Sequence, residues 1–397
     1  MSPEAQNPGG PAEPAGASRL VPAIGWETSL ALFLVVGLFA VFAVQMGIAF
    51  TFKTIMATAH DLILNTVLFL MGVMIVAGAF TAFVAEFGVV AIANRALAPL
   101  MRPLFGLPGA SSVGVVATYL SDNPAVMPLG TDRGFLRYFH RWQVTTLVNL
   151  GTVFGMGLIV TTFMLAQSID GQSLGRAVLI GNVGALLGGI VSVRAMGWFG
   201  KRRYGKEEMA LPASDDGHDP LKVREIRSGN PIQRVLQSLL DGGAGGVKMG
   251  LDIMPGVVII GTLFMMLSFG MPEGGYTGEA YEGIGFFPWI GGMFSFIIEP
   301  LFGFSDPRAI AFPVTSWASV GAALGMIPQF LESGIIGAKE LSVLTAIGIC
   351  NAGFLSTHVG MMDGLREREL TTVAIATHFV GGMSAGVFAH FLFLLLG

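Results

Sequence analysis

Residues 102–130 read RPLFGLPGASSVGVVATYLSDNPAVMPLG, and this stretch decides the fold. It is long enough to enter a membrane, but it carries Pro, Gly, Ser, Thr, Asp and Asn where a crossing helix would be uniformly apolar. Residues 306–328 have the same mixed composition. Irregular backbone is tolerated in lipid only when it is buried against protein or lines a wet cavity. Residues 106–130 and 306–328 are therefore predicted to be re-entrant hairpins.

Landmarks of the first half of the chain recur in the same order in the second half. The offsets between them are 197, 202 and 198 residues, which indicates a repeat rather than a shared composition. The matched motifs are Arg102-Pro-Leu-Phe-Gly106 with Glu299-Pro-Leu-Phe-Gly303, Asn149-Leu-Gly151 with Asn351-Ala-Gly353, and Gly184-Ala-Leu-Leu-Gly188 with Gly382-Met-Ser-Ala-Gly386.

The composition indicates an integral membrane protein. Of 397 residues, 53% are hydrophobic and only 12% are charged, with a mean hydropathy of +0.69. Soluble domains carry about 25% charged residues, so a water-soluble enzyme, a nucleic-acid binder and a disordered scaffold are poor fits. With a net charge of −4, the chain has no excess of positive charge that would attract nucleic acid. Cys350 is the only cysteine, which excludes a disulfide framework and a thiolate metal cluster.

Seven apolar runs are long enough to cross a bilayer, which takes roughly 20 helical residues for about 30 Å of hydrocarbon. They lie at 29–50, 62–85, 142–165, 175–197, 250–270, 341–361 and 371–396. Two shorter segments, 87–104 and 285–304, are flanked by Pro or Gly. These are predicted to be helices that lie along the membrane interface before each hairpin.

The connection between the fourth and fifth runs determines the predicted orientation. It contains nine basic residues between 201 and 248, so the positive-inside rule places it in the cytoplasm. Counting crossings from this connection puts the N-terminus in the cytoplasm and the C-terminus outside, in the inner membrane of a bacterium. The predicted outside loop 271–284 contains Glu273, Glu279 and Glu282 and no Lys or Arg, as this orientation requires.

The order of elements divides the chain into two halves that face opposite ways. Each half reads crossing, interfacial helix, hairpin, crossing, crossing. The predicted units are a disordered tail at 1–25, an extra transmembrane helix at 26–50, a first repeat at 61–199, a cytoplasmic basic linker at 200–248 and a second, inverted repeat at 249–397. The predicted fold class is an all-α polytopic membrane protein with an inverted-topology repeat and two re-entrant helical hairpins.

Two sequence runs resemble a known family of membrane proteins. The runs are LFLMGVMIVAGAFTAFVAEFG at 68–88 and LAPLMRPLFGLPGASSVGVVATYLSDNPAVMPLG at 97–130, and a related run in the second half is IEPLFGFSDPRAIAFPVTSW at 298–317. The family that they resemble is the nucleoside-recognition or gate domain family. That family includes the spore-maturation A/B-like membrane proteins, and similar gates occur in concentrative nucleoside transporters and in the ferrous-iron transporter B. The resemblance implies paired gates that form a transport path. The runs carry no Gln-Thr-Glu-type hairpin of nucleoside transporters, so the resemblance names no substrate.

The two hairpins carry candidate site residues. Asp122 and Asn123 lie before Pro124 in the middle of the first hairpin, where short polar side chains can meet a ligand or cap the turn. An Asp at membrane depth costs about 3 kcal/mol, so it is a functional hypothesis by default. The second hairpin offers Asp306 and Arg308, which could simply pair with each other, and the candidate ligand-binding residues Thr315, Ser316, Trp317 and Ser319.

Asn149 and Asn351 are candidates on the crossing helices, each two residues before a Gly. An amide can bind a polar solute as donor and acceptor; the alternative is a hydrogen bond between the repeats. Thr152, Ser356, Thr357 and His358 lie close in sequence and would extend either network. His358 and His378 could shuttle a proton, but a metal site is not expected because they have no carboxylate at helical spacing. The paired glycines at 184, 188, 382 and 386 predict close helix packing.

The expected function is that of a secondary active transporter. Inverted repeats with interrupted helices are typical of these proteins. We expect movement of a small polar or amphipathic solute, nucleoside-like solutes included, by alternating access coupled to Na⁺ or H⁺. The expected partners are this solute and membrane lipids, with no nucleic acid and no cofactor besides the coupling ion, and homo-oligomer formation is left open.

Two other functions remain open at this point. One is a flippase for lipids or lipid-linked precursors, and the other is a non-transporting membrane assembly protein, which the spore-maturation resemblance allows. An enzyme is not expected, because the sequence contains no phosphate loop, nucleophile elbow or zinc-protease motif.

Overall fold

The computed structural model describes residues 22–130, 132–169, 171–211, 223 and 226–397. Almost all of the predicted N-terminal tail lies outside these residues. The regular secondary structure of the described part is helical apart from one short hairpin of strands β1 (Ser168–Ile169) and β2 (Gln172–Ser173). Six helical stretches are long and apolar enough to cross a membrane, which confirms an all-α polytopic membrane fold.

The first half contains ten α-helices. A π-helical turn at Leu62–Val67 joins the second and third of them without a break. Short 3₁₀ turns at Asn123–Val126 and Pro128–Gly130 follow the fifth. The α-helices are α1 (Trp26–Met46), α2 (Ile48–Asp61), α3 (Leu68–Glu86), α4 (Val89–Phe105), α5 (Ser111–Leu120), α6 (Arg133–Leu136), α7 (Arg141–Val144), α8 (Leu147–Phe154), α9 (Gly157–Leu165) and α10 (Gly175–Tyr204).

The second half also contains ten α-helices. A π-helical turn at Gly256–Ile260 joins its first two helices, and 3₁₀ turns occur at Pro307–Ile310 and Arg368–Leu370. The α-helices are α11 (Pro231–Pro255), α12 (Gly261–Ser268), α13 (Phe286–Met293), α14 (Ser295–Phe302), α15 (Ala311–Ala318), α16 (Val320–Leu324), α17 (Ile327–Glu332), α18 (Ala338–Cys350), α19 (Phe354–Gly364) and α20 (Thr371–Leu396).

The predicted sixth crossing, 341–361, is not one helix. It consists of α18 and α19, which are separated at Asn351–Gly353. Gly353 adopts a left-handed conformation with φ of 62°, which ends one helix and starts the next. The sequence did not predict this break, because a glycine inside an apolar run is compatible with a continuous helix. The predicted interfacial helix 285–304 is likewise divided, into α13 and α14.

Two helical stretches are longer than predicted. Ile48–Glu86 is continuous over 39 residues, so the predicted loop between 50 and 62 is helical. Pro231–Ser268 is continuous over 38 residues, so residues 231–248 are helix and not linker. Its start is fixed by a capping box, in which Asn230 Oδ1 accepts from Gln233 N at 2.9 Å and Gln233 Oε1 accepts from Asn230 N at 3.0 Å. At 1.5 Å per residue each stretch is about 57 Å long, well over the thickness of a bilayer.

Helices of the first half pack against helices of the second half in antiparallel pairs. In the α3–α11 pair, Gly78 lies against Gly242 and Met74 against Gly246. In the α10–α20 pair, Gly184 lies against Ala389 and Gly188 against Ala385. The numbers rise on one helix as they fall on the other, as an inverted repeat requires. Small residues at the crossing let the backbones approach closely.

The predicted packing role of the glycine pairs is confirmed. Gly184 and Gly188 lie at the α10–α20 contact. Gly382 lies against the side chain of Asn351, and Gly386 lies against Ile347 of α18. A Cβ at any of these positions would collide with its neighbour, so each glycine determines the distance between helices.

Buried carboxylates tie the ends of the helices together. Glu86, which is 4% exposed, accepts from Arg234 Nε at 2.6 Å and from Arg227 Nη1 at 2.8 Å, so the start of α11 is anchored to the end of α3. Glu282 of the loop 271–284 is also buried. Burial raises the pKa of Glu282, but hydrogen bonds from Thr277 and Gly278 outweigh this effect and hold the pKa below its usual value. The loop is therefore held in one conformation by a charged group.

The predicted orientation can be tested by cysteine labelling. Cys350 is fully buried and gives little background. Glu279→Cys, on an exposed loop residue, should react with a membrane-impermeant maleimide in intact cells, because the positive-inside count places this loop outside. Ser228→Cys, in the basic connection, is the matched control and should react only after permeabilisation. The reverse pattern would contradict the orientation.

The glycine contacts predict a difference between two identical substitutions. Gly188→Ala places a methyl group against Ala385 and the Gly381 carbonyl, and overpacking of this kind costs about 1–3 kcal/mol. Gly72→Ala in α3 meets no atom within 4 Å and adds helix propensity. Thermal unfolding of the purified protein should show a lower midpoint for the first variant and an equal or higher one for the second. Equal midpoints would show that the α10–α20 contact does not limit stability.

Candidate functional site

Each half of the chain contains a hairpin whose tip is extended backbone. In the first hairpin, α5 ends at Leu120, and Asp122 adopts φ of −145° and ψ of 163°. In the second, α15 ends at Ala318, and Ser319 adopts φ of −156° and ψ of 112°. Both side chains cap the helical turn that follows: Asp122 Oδ1 accepts from Asn123 N at 2.7 Å, and Ser319 Oγ accepts from Ala322 N at 3.3 Å.

Each half also contains a crossing that is broken by a left-handed residue. Between α8 and α9 this residue is Met156, with φ of 55° and ψ of 18°; between α18 and α19 it is Gly353, with φ of 62° and ψ of 23°. A left-handed non-glycine residue such as Met156 is uncommon. Backbone outliers of this kind cluster at functional sites.

The backbone corrects the predicted alignment of the repeats. Met156 and Gly353 are 197 residues apart, and so are Asp122 and Ser319. The predicted match of Asn149 with Asn351 has an offset of 202 and is wrong as a structural equivalence. At the offset of 197, Asn149 corresponds to Ala346 and Asn351 to Phe154. The two asparagines therefore lie at different places in their helices.

The two hairpin tips and the two helix breaks line one cavity of about 450 Å³. The middle of the Pro231–Ser268 stretch, including its π-helical turn, also lines this cavity. Such turns occur frequently at functional sites. The lining residues are Asp122, Asn123, Met156, Gly245, Lys248, Met249, Asp252, Ile253, Gly256, Ile260, Ala318, Ser319, Val320, Gly321, Gly353 and Thr357.

Asn123 connects the first hairpin to the broken crossing of the second half. It is 1% exposed, and its Nδ2 donates to Ala352 O at 2.9 Å and to Thr357 Oγ1 at 2.6 Å. Thr357 in turn donates to Gly353 O at 2.6 Å. The Oδ1 of Asn123 has no hydrogen-bond partner in the described part of the chain. One amide of the first half thus bonds both a carbonyl group and a hydroxyl group at the break in the second half.

Three charged side chains line the cavity. Asp122 lies at the tip of the first hairpin, while Lys248 and Asp252 lie one helical turn apart near the middle of the Pro231–Ser268 stretch. The sequence prediction did not include Lys248 and Asp252, because it ended the linker at 248. The capping motif Asn230-Pro231-Ile-Gln233 was the signal that could have placed both residues inside a long helix.

Four of the predicted site residues line the cavity, namely Asp122, Asn123, Ser319 and Thr357. The side chain of Ser356 lies outside the part of the chain that the structure describes. The other predicted residues are packed elsewhere between helices: Asn149, Thr152, Thr315, Ser316, Trp317, Asn351 and His358.

Asn149 belongs to a buried hydrogen-bond network that joins three helices. Its Nδ2 donates to Ser192 Oγ of α10 at 3.1 Å and to Thr377 Oγ1 of α20 at 3.0 Å. His378 continues the network, with its Nε2 2.7 Å from Cys350 O and its Nδ1 3.1 Å from Ser192 Oγ. Because a carbonyl can only accept, the Nε2 of His378 carries the proton and Nδ1 accepts from Ser192. This arrangement corresponds to the interhelical alternative for Asn149.

The remaining predicted residues make local or interhelical contacts. Asn351 Nδ2 donates weakly to Ser316 Oγ at 3.4 Å, and the indole of Trp317 packs edge-on against Phe379 at 5.2 Å between ring centroids. Thr152 and Thr315 donate to carbonyl groups of their own helices, His358 Nδ1 bonds Phe354 O at 2.8 Å, and the His358 ring lies 4.8 Å from that of His378.

Asp306 and Arg308 form an ion pair of 2.6 Å, as the simpler hypothesis for them predicted. The described residues contain no group of three His, Cys, Asp or Glu side chains that could hold a metal ion. The candidate site is the cavity that the hairpin tips and helix breaks line, with its three charged residues.

No protein-family model matches the chain, and no curated protein sequence matches it. Among solved structures, the chain is similar to that of the concentrative nucleoside transporter CNTnw in an inward-facing substrate-bound state, with a TM-score of 0.51 and 12% identity over 94% of this chain and 85% of that one. A doubly substituted CNTnw in an outward-facing state gives a TM-score of 0.48 and 13% identity, with 95% of this chain and 93% of that one covered. The first likeness shows that the chain shares the fold of CNTnw.

The placement of Asn149 predicts a structural effect of its removal. Asn149→Ala leaves Ser192 and Thr377 without their buried donor, which costs about 1–3 kcal/mol. Thermal unfolding should show a lower midpoint, while the folded fraction keeps its affinity for solute. Asn65→Ala is the control, because Asn65 bonds only Asp61 on an exposed helix face. Weaker binding at unchanged stability would instead place Asn149 in the solute site.

Proposed function

We propose that the protein is a secondary active transporter that moves a small polar or amphipathic solute by alternating access, coupled to Na⁺ or H⁺. One observation carries the proposal. Four interruptions of the backbone, two from each half, line a single cavity together with the middle of a 38-residue helical stretch. The proposed location is the inner membrane of a bacterium, with the N-terminus in the cytoplasm.

The broken helices give this cavity polar backbone groups. The helices α5, α8, α15 and α18 end beside it, and α9 and α19 begin beside it. Helix ends carry partial charges, negative at the C-terminus and positive at the N-terminus. Secondary transporters use such half-helix ends and unwound carbonyls to bind solutes and coupling ions near the midplane.

The inverted repeat supplies a route to alternating access. The equivalent helices α10 and α20 run antiparallel, so the two halves can exchange conformations and open the same cavity to the other side. The fold likeness supports this proposal, because CNTnw has been observed inward-facing with substrate bound. A nucleoside-like solute is one candidate, since CNTnw is a concentrative nucleoside transporter.

A purely structural role is less well supported by the cavity. Charge at membrane depth is costly and is found where it serves a pathway or a site. Asp122, Lys248 and Asp252 line the cavity, and the described residues give none of the three an ion pair. An assembly protein needs no such charges for packing.

Uptake into proteoliposomes tests the proposal. The purified protein should accumulate at least one of a panel of labelled nucleosides, amino acids, organic acids and polyamines when a Na⁺ or pH gradient is imposed. Vesicles without protein and vesicles without a gradient are the controls. Scrambling of fluorescent lipids without solute uptake would favour the flippase, and neither activity would favour the assembly protein.

Asp122→Asn should abolish this uptake while the thermal midpoint stays close to that of the wild type. The substitution keeps an oxygen that can accept from Asn123 N and removes only the charge at the hairpin tip. Glu273→Gln, on an exposed residue of the loop 271–284, is the matched control and should transport normally. Normal kinetics in Asp122→Asn would remove this carboxylate from the transport site.

A further inference from the structure

We infer that the solute of this cavity is a zwitterion, a molecule that carries both a cationic and an anionic group. This inference rests on the proposed transport function and adds the chemical class of the solute. It follows from the charges of Asp122, Lys248 and Asp252 on the cavity wall.

The three charged side chains are not engaged with one another or with other charged groups. Lys248 and Asp252 make no hydrogen bond and no ion pair in the part of the chain that the structure describes. Asp122 uses one oxygen to cap Asn123, and its second oxygen has no partner there. By contrast, Glu86 and Asp306 are each paired with arginine. The three charges on the cavity wall thus have no charged partner within the described residues.

The charges come from two different walls of the cavity. Asp122 lies on the tip of the first hairpin, and Lys248 and Asp252 lie on α11. Residues four apart share one face of a helix, so α11 presents an ammonium and a carboxylate side by side. A solute that bridges the hairpin and α11 meets charges of both signs.

A solute that enters the cavity displaces the water that hydrates these three charged side chains. Whether each charge is then paired depends on the charged groups of the solute. A charge taken out of water is costly unless it is paired. A neutral solute would leave all three groups unpaired, and a solute with a single charge would satisfy groups of one sign only. A zwitterion offers its anionic group to Lys248 and its cationic group to the carboxylates.

The same charges predict how many coupling cations travel with the solute. Two carboxylates and one ammonium leave one net negative charge when all three are ionised. A zwitterion adds no net charge, so one Na⁺ or one H⁺ makes the loaded cavity neutral. Neutral contents are the form that crosses a low-dielectric barrier at least cost.

Charge-selective uptake tests the inference. The probes are leucine and glycine betaine as zwitterions, uridine and glucose as neutral solutes, succinate as an anion and putrescine as a cation. Wild-type proteoliposomes should take up the zwitterions and not the other probes. Lys248→Gln should weaken the affinity for the transported zwitterion about tenfold or more, the usual effect of removing a charged hydrogen-bond partner.

Matched variants separate charge from folding. Lys248→Arg should keep the selectivity, because it keeps the positive charge, and Asp252→Asn should weaken zwitterion uptake independently. Lys206→Gln, on an exposed lysine outside the cavity, should behave as the wild type. A Lys248→Gln protein that does not fold leaves the Asp252→Asn result to decide.

The outcomes distinguish this inference from the transport proposal. Uptake of uridine, glucose, succinate or putrescine in preference to the zwitterions would overturn the inference and leave the transport function standing. The same holds if Lys248→Gln and Asp252→Asn both transport zwitterions normally. If wild-type protein takes up no probe under any gradient, the transport function itself fails.

Discussion

A backbone group in the hydrocarbon core of a membrane has no water to bond, and the architecture of this protein depends on that constraint. Two hairpins and two crossings are interrupted beside one cavity, and each interruption exposes carbonyl and N–H groups that need partners. Asn123 of the first half supplies hydrogen bonds to Ala352 O and to Thr357 Oγ1 of the second half.

The two halves share this backbone but not its chemistry. The first hairpin places Asp122 and Asn123 at its tip, while the second places Ser319 and Val320 at the equivalent positions, 197 residues later. Met156 and Gly353 differ in the same way, since one break is lined by a thioether and the other by a bare backbone. A duplicated backbone thus provides the inverted geometry, and substitution in each copy provides an asymmetric site.

Much of the fold could be predicted from hydrophobic runs, glycines and charges, since these reflect contact with lipid and with neighbouring helices. The hairpins at 106–130 and 306–328 and the packing of Gly188 on α20 are examples. The lengths of the helices and the positions of their breaks were harder to predict from the sequence. The amphipathic first part of α11 reads as a polar linker in the sequence, so α11 was divided at residue 248, and Lys248 and Asp252 were not assigned to a site.

The site was predicted only in part, because identical residue types do not imply equivalent positions. The sequence alignment of the two repeats paired Asn149 with Asn351 because the residue types are the same. Equivalent positions in the two repeats are instead set by backbone conformation, which sequence shows only indirectly. Asp122, Asn123 and Ser319 were predicted as candidates and line the cavity, and Asp122 and Ser319 also cap the turns, which was the alternative for the first hairpin. Thr357 was predicted only through its nearness to Asn351.

The packing also indicates where movement can occur. Glycine contacts hold α3 on α11 and α10 on α20 at distances that a single methyl group would disturb, so these pairs behave as rigid units. The hairpins also contact the long helices. Thr81 of α3 donates to Leu120 O at 3.1 Å, Ser319 lies against Gly256 of the π-helical turn, and Gly321 lies against Ile253 and Val257. A change of access that preserves the glycine contacts would act on these hairpin contacts. The π-helical turn at Gly256–Ile260 lies where one of them is made, so a local change in its hydrogen bonding would release the second hairpin without unfolding either long helix.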